Sequence, residues 1–115
     1  MRNFRNLEIW QKGIELTTDI YRVTDTFPSG EKYGLVSQIT RSAVSIPSSI
    51  AEGCRGSDKE LIRYLEIAMG SAFELETQLI IAHRIALLQK SDFDVILNAL
   101  TILQKRINAF RNTLK

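Results

Sequence analysis

The sequence predicts an all-α protein, an up-down-up-down four-helix bundle with a proline kink in its second helix. Three observations favour this fold class. Four amphipathic segments follow one another, and their apolar residues recur every three or four positions, which is the helical period. Only short connections separate the segments, as in bundles whose neighbouring helices run antiparallel. No stretch reads as strands bounded by hairpin turns.

The first segment runs from about Leu7 to Asp25. Its apolar residues roughly follow helical spacing: Ile9, Trp10, Ile14, Ile20, Tyr21 and Val23. The stretch FPSGE ends the segment, because Pro28 disfavours helical backbone at the residue before it. Ser29 is then placed to cap the next helix.

The second segment runs from about Lys32 to Cys54. Its small and β-branched residues step by three and four, as in a packed seam: Val36, Ile39, Ala43, Ile46, Ile50 and Gly53. Pro47 interrupts it, since proline lacks an amide hydrogen and crowds the carbonyl of Ala43, at a cost of about 3 kcal/mol in a helix interior. We expect a kink there, with Ser48 and Ser49 binding or hydrating the freed carbonyls.

The third segment opens with the capping box Ser57-Asp58-Lys59-Glu60, which satisfies two backbone donors. Its seam is the clearest in the chain: Leu61, Leu65, Ala68, Ala72, Leu75, Leu79, Ala82 and Ala86. The fourth segment begins at a Ser91-Asp92 cap. Its apolar stripe consists of Phe93, Ile96, Leu100, Leu103, Ile107, Phe110 and Leu114.

The composition is that of one globular domain, and we expect residues 1–115 to form a single four-helix bundle domain. No apolar run approaches the roughly 18 residues of a membrane-spanning helix. The first residues lack the apolar core of a signal peptide. The single cysteine cannot form an internal disulfide, so a cytoplasmic location is expected.

The second helix has a polar face made of short side chains rather than of the usual lysines and glutamates. Its residues again step by three and four: Gln38, Arg41, Ser45, Ser48 and Glu52. One interpretation is an ordinary solvated face on a kinked helix. The other is an oligomer interface made by these residues with Glu74, in which Arg41 takes a partner among Glu66, Glu74 and Glu76.

The chain resembles the four-helix bundle protein family, also known from open reading frames in intervening sequences of bacterial 23S ribosomal RNA. Three stretches carry the resemblance: FRNLEIWQKG, YGLVSQITRSAVSIPSSIAEGCRG and GSAFELETQL. The resemblance implies a small bacterial protein that assembles as a ring-like homopentamer. A related branch includes the accessory protein of diversity-generating retroelements, which works with RNA and a reverse transcriptase. Ser49 stands where the family often has asparagine.

The predicted topology gathers positive charge at one end of the bundle, which we call the basic pole. This pole would contain the N-terminus, the connection between the second and third helices, and the C-terminus. We expect its nine basic residues to form a nucleic-acid-binding surface. They are Arg2, Arg5, Arg55, Lys59, Arg63, Lys105, Arg106, Arg111 and Lys115. Four acids accompany them, leaving a net charge of +5: Glu8, Glu52, Asp58 and Glu60. The other interpretation is that these charges only keep the chain soluble. Three nearby aromatic residues are candidates for stacking bases: Phe4, Tyr64 and Phe110.

No catalytic, cofactor or metal site is expected. A di-iron bundle needs two Glu-x-x-His pairs, whereas His83 is the single histidine of the chain and Ile80 stands three residues before it. Helical RNA-cleaving proteins of the HEPN type require an arginine four to six residues before a histidine. No arginine stands at those positions before His83. Arg55 beside Cys54 can lower the pKa of the thiol, but no histidine lies nearby in the sequence to act as a base.

The leading hypothesis is therefore a non-enzymatic homo-oligomer that binds structured RNA through the basic pole, and a role as an adaptor for a partner protein is compatible with it. The alternative is a structural scaffold whose partner is a protein. Neither hypothesis involves a membrane.

Overall fold

The computed structural model describes residues 1–31 and 33–115. These residues form four α-helices: α1 (Glu8–Thr24), α2 (Leu35–Gly53), α3 (Asp58–Arg84) and α4 (Lys90–Thr113). Short 3-10 turns cover Phe4–Asn6 and Ser29–Glu31, and no strand occurs in this part of the chain. Each helix packs against the next, and α4 packs against α1, which makes a four-helix bundle about one core. The antiparallel order and the kink at Pro47 remain predictions.

The predicted seams of α2, α3 and α4 form most of the core. Buried residues of these three helices are Ile39, Ala43, Ile46, Ile50, Leu61, Leu65, Ala68, Ala72, Leu75, Leu79, Ala82, Ile96, Leu100, Leu103 and Ile107. The prediction for α1 was partly wrong. Ile14 and Tyr21 are exposed, and the buried face of α1 consists of Ile9, Gly13, Leu16, Ile20 and Thr24.

The starts of two helices differ from the prediction. Ser29 does not cap α2 but opens a 3-10 turn, and α2 begins at Leu35 after Gly34. The predicted start at Lys32 lies outside the described residues. Helix α4 begins at Lys90 rather than after a Ser91 cap, although Asp92 does lie in its first turn.

The capping residue of α3 is the predicted one. The Glu60 amide donates to Ser57 Oγ at 3.3 Å, which is one of the two bonds of a capping box. The predicted seam position at Ala86 is wrong, because α3 ends at Arg84 and Ala86 is exposed. Ala86 has a positive φ of 66°, and the Leu87 amide bonds the Ala82 carbonyl at 2.9 Å, so the helix closes with a Schellman-type turn.

Pro47 is buried against α1, and α1 is shaped to receive it. A Cβ atom at Gly13 would lie 3.2 Å from Pro47 Cβ, so only glycine lets the two helices approach this closely without adjustment. Helix α2 continues through the proline to Gly53. The carbonyl that Pro47 deprives of a donor, that of Ala43, accepts from Thr17 on α1 at 3.1 Å. The expected donors Ser48 and Ser49 do not make this bond.

Candidate nucleic-acid interface

The predicted basic pole is drawn together by contacts between distant parts of the chain. The Arg2 amide donates to the Cys54 carbonyl at 3.0 Å, which holds the N-terminal segment against the connection between α2 and α3. Arg106 of α4 forms an ion pair with Glu8 at the start of α1. The beginning of the chain, the α2–α3 connection and the last turns of α4 therefore lie at one end of the bundle.

Three of the nine predicted binding residues are already engaged within the chain. Arg2 pairs with Asp58 at 3.1 Å, Arg106 with Glu8 at 2.5 Å and Arg111 with Glu66 at 2.9 Å. These arginines serve to join elements of the pole. Glu66, which is not among the four acids predicted for the pole, belongs to this end through its pair with Arg111.

Arg111 is the most enclosed of the three. Its side chain is 25% exposed, whereas those of Arg2 and Arg106 are 42% and 51% exposed. Its Nε is buried without a hydrogen-bond partner among the described residues. The role of Arg111 is therefore mostly structural, and reversing its charge would disturb the pole as well as any ligand.

The other six predicted residues are exposed, and none forms an ion pair within the described part of the chain: Arg5, Arg55, Lys59, Arg63, Lys105 and Lys115. They come from the N-terminal segment, the α2–α3 connection, the first turns of α3, the C-terminal half of α4 and the end of the chain after α4. With Glu66 included, the nine cations of the pole face five acids, a net charge of +4.

The three aromatic rings expected to stack bases are each covered by an arginine. The Arg5 guanidinium lies 4.6 Å from the centre of the Phe4 ring, Arg63 lies 5.4 Å from that of Tyr64, and Arg2 lies 5.8 Å from that of Phe110. Phe4 is itself held by an edge contact with Trp10, at 5.2 Å between ring centres. Cation–π contacts of this kind restrict the guanidinium groups and add to their ordering.

Cys54 lies under the pole, 2% exposed. Burial raises the pKa of the Cys54 thiol, and the charge of Arg2 opposes this shift only in part. The net shift is therefore upward, because desolvation of the thiolate is the larger effect, and the charge that opposes it is that of Arg2 and not, as expected, that of Arg55.

The residues of the predicted oligomer interface occupy one side of α2 and α3. Gln38, Arg41, Ser45 and Glu74 line an open polar depression of about 360 Å³. Ser45 and Ser71 share a hydrogen bond of 2.9 Å across it. The remaining predicted residues, Ser48 and Glu52, are exposed further along α2.

Arg41 makes no ion pair with any of the three carboxylates named for it, and each of them has another partner. Glu66 accepts from Arg111, Glu74 from Gln78 at 3.2 Å, and Glu76 from Gln104 at 2.9 Å. Arg41 is exposed. Within the described part of the chain its charge is therefore not neutralised by an ion pair.

His83 has a structural setting. Its Nδ1 lies 2.9 Å from the Leu88 carbonyl, and its ring stacks on Phe93 with centres 4.4 Å apart and planes 6° apart. The histidine thereby fastens the end of α3 to the start of α4. No group of three or more His, Cys, Asp or Glu side chains fit to hold a metal ion occurs among residues 1–31 and 33–115. In the same residues, no helix has the length and apolar character needed to cross a bilayer.

Comparison with known proteins agrees with the fold. The chain is similar to a crystal structure, at 1.70 Å resolution, of a protein of unknown function from the S23 ribosomal protein family of Bacteroides thetaiotaomicron VPI-5482. The two share 24% sequence identity and a TM-score of 0.80, over 90% of this chain and 97% of the other. No curated protein matches the chain. The model of the 23S rRNA-intervening sequence protein family matches residues 5–109. The chain belongs to the 23S rRNA-intervening sequence protein family.

Proposed function

We propose that this protein is a non-enzymatic, homo-oligomeric helical bundle that binds structured RNA through the basic pole and serves there as an adaptor. The observation that carries the proposal is the state of the pole's cations. Six of them are exposed without an ion pair in the described chain, and two of these six, Arg5 and Arg63, are stacked on aromatic rings. The family name, which refers to intervening sequences of 23S rRNA, supports RNA as the nucleic acid.

The arrangement favours contacts with phosphates over reading of bases. Exposed lysines and arginines bind the nucleic-acid backbone, and such contacts release counterions and depend steeply on salt. The stacked rings are covered by guanidinium groups, which leaves the arginine planes as the surfaces on which an unpaired base can stack. We therefore expect recognition of RNA shape and unpaired segments rather than of sequence.

Self-association through the α2–α3 side is the second part of the proposal, and the family resemblance implies five copies. Support comes from the charge of Arg41, which lines the polar depression without an ion pair in the described chain, and from exposed apolar side chains on the same two helices. These are Val44 of α2 and Ile67 of α3, which are 40% and 41% exposed. Five poles of net charge +4 would together present about +20, which raises the local concentration of a polyanion.

The test of RNA binding uses charge reversals at residues that have no structural ion pair. Fluorescence anisotropy with a structured RNA, measured across a salt titration, would compare the unaltered protein with Lys59→Glu and Lys105→Glu. We expect weaker binding and a reduced log–log salt slope for both. Arg84→Glu is the matched control, since it makes the same change in net charge at the other end of α3. Equal loss in the control would indicate a general charge effect and contradict binding at the pole.

The test of self-association is light scattering on the same protein. Ser48→Arg places a long cation on the exposed face of α2 and should dissociate the oligomer, whereas Ser29→Arg, at an exposed turn, should not. If the unaltered protein is monomeric at micromolar concentration, this part of the proposal is overturned.

A protein-binding scaffold is the second candidate, and one feature favours it. Helix α3 exposes three large apolar side chains: Ile67 at 41%, Phe73 at 56% and Ile81 at 46%. A scaffold without RNA binding predicts no salt-dependent affinity in the anisotropy experiment. Its partner binding should fall in Phe73→Ser and be unaffected by Lys59→Glu.

A further inference from the structure

An open cavity of about 460 Å³ lies at the basic pole between the N-terminal segment and the end of α2. Three arginines line it, Arg2, Arg5 and Arg55, and its lining within the described chain includes no carboxylate. Phe4, Ala51 and Cys54 add apolar surface. The volume falls within the range of roughly 300–1,000 Å³ typical of small-ligand pockets. The cavity is therefore a concave, positively charged site with room for more than a single inorganic ion.

The three guanidinium groups have donors to offer a ligand. Arg2 uses Nη2 for its bond to Asp58, and a guanidinium group carries five N–H donors in all, so further donors remain. Arg5 is held on the Phe4 ring, which in turn leans on Trp10. Arg55 is exposed and forms no ion pair within the described chain. Planar, fork-shaped donors of this kind suit the oxygens of a phosphate.

We infer that this cavity binds a phosphate monoester carried on a nucleoside, as found at the end of a nucleic-acid strand. The charge of the ligand decides between an end and an internal linkage. Of the three arginines only Arg2 has a carboxylate partner, Asp58, which leaves the charges of Arg5 and Arg55 without one. A phosphate monoester carries about −1.5 to −2 at pH 7, more than the single charge of each internal phosphate, so these two uncompensated charges favour the end. The apolar wall and the guanidinium plane of Arg5 provide surfaces for the sugar and the base.

This inference rests on the proposed RNA function and deepens it by naming the part of the strand that is recognised. An RNA bound in this way would be anchored by its terminal nucleotide in the cavity. The lysines of the surrounding pole would contact the following phosphates. The same phosphate chemistry is present in a free mononucleotide, so the two sources need separate measurements.

The experiment is isothermal titration calorimetry with a short single-stranded RNA in three forms: with a 5′-phosphate, with a 3′-phosphate, and with hydroxyls at both ends. A nucleoside 5′-monophosphate is the fourth ligand. We expect one phosphorylated form to bind about tenfold tighter than the hydroxyl form, because only it places a near-dianion among the arginines. Either phosphorylated end satisfies the inference.

Two variants test the location. Ala51→Leu fills the cavity from its apolar wall without changing the charge and should abolish the preference for a phosphorylated end, while Arg55→Gln should reduce it. Ala109→Leu makes the same substitution at an exposed position of α4 outside the cavity and should leave the preference intact. Circular dichroism of each variant checks that the bundle is folded.

The outcomes separate the inference from the proposed function. Equal binding of all three RNA forms, with a steep salt dependence, would keep RNA binding and overturn the cavity as an end-binding site. Binding of the mononucleotide alone, lost in Ala51→Leu, would keep the cavity and overturn RNA as its source. Binding of none of the four ligands would overturn the cavity as an end-binding site, whereas the proposed function is decided by the anisotropy titration with structured RNA.

Discussion

Thr17 of α1 donates a hydrogen bond to the carbonyl of Ala43 on α2, at 3.1 Å, and this is the carbonyl that Pro47 leaves without its helical donor. The same hydroxyl lies 2.7 Å from the Gly13 carbonyl on its own helix, so its proton is shared between the two acceptors. The proline ring meanwhile packs on Gly13. Helix α1 thus supplies both the hydrogen bond and the space that a proline inside α2 requires.

Thr17→Val should therefore destabilise the protein by about 1–3 kcal/mol, because it removes the donor and leaves a part-buried carbonyl without a partner. Urea denaturation measures the change. Thr18→Val is the matched control, since Thr18 bonds only the Ile14 carbonyl of its own helix at an exposed position, and we expect a change within about 0.5 kcal/mol.

A double-mutant cycle isolates the link to the proline. Pro47→Ala restores an amide hydrogen at position 47, which can bond the Ala43 carbonyl in the usual helical way. In that background, Thr17→Val should cost less than it does in the unaltered protein. Equal costs in both backgrounds would show that the hydroxyl does not compensate for the proline.

The sequence predicted the helices well because their apolar residues repeat with the helical period, and burial selects that period. It predicted the buried face of α1 poorly, because part of that face does not consist of apolar side chains. Gly13 is buried by the close approach of Pro47, and Thr24 is buried with its hydroxyl donating to the Ile20 carbonyl of the same helix. A hydrophobic pattern records neither feature. The Thr17–Ala43 bond joins two helices, so its donor could not be inferred from the residues beside Pro47.

The candidate site shows a similar limit. The grouping of basic residues follows from bundle topology and could be predicted from the sequence. Which of them remain unpaired depends on how each helix is rotated about its axis and on how far each side chain reaches. Arg111 therefore meets Glu66, and Arg106 meets Glu8, although 45 and 98 positions separate them. The cavity beside Arg55 depends on the path of the N-terminal segment, which carries no periodic pattern.

Two glycines in helices should respond to alanine in opposite directions. At Gly53 a Cβ atom would lie 2.7 Å from Tyr64 Cβ and 2.9 Å from Leu61 Cδ1, so Gly53→Ala forces α2 and α3 apart and should cost about 1–3 kcal/mol. At Gly70 nothing lies within 4 Å, so Gly70→Ala should stabilise α3 by about 0.5–1 kcal/mol. Thermal and urea denaturation compare the two. A neutral effect of Gly53→Ala would contradict the close packing of α2 on α3.

Ala86 offers a stabilising substitution. Its φ of 66° is a left-handed conformation that costs a residue with a Cβ atom about 1–2 kcal/mol, and glycine adopts it freely. Glycine also has more entropy in the unfolded chain, which offsets part of this gain. Ala86→Gly should therefore raise the free energy of unfolding by up to about 1 kcal/mol. Ala109→Gly, at an exposed position inside α4, is the control and should lower it by about 0.5–1 kcal/mol. Destabilisation by both would contradict the left-handed turn after α3.

Cys54 should make the protein less stable in alkaline solution. Burial raises the pKa of its thiol above the ordinary value of 9.0, so above about pH 9 the unfolded chain loses the proton while the folded protein keeps it. The unfolded state then binds fewer protons, and the free energy of unfolding falls as the pH rises from the unfolded pKa to the folded one. Below the unfolded pKa the contribution of the thiol is fully present.

The measurement is urea denaturation between about pH 7 and pH 10, a range that brackets the ordinary thiol pKa. Cys54→Ala removes the titrating group, so its stability should decline less over the alkaline part of this range, whatever the constant cost of the smaller side chain. Arg2→Gln removes the charge that opposes the shift and should extend the decline to higher pH. Parallel curves for the unaltered protein and Cys54→Ala would mean that the thiol titrates alike in both states, against its burial beneath the N-terminal segment.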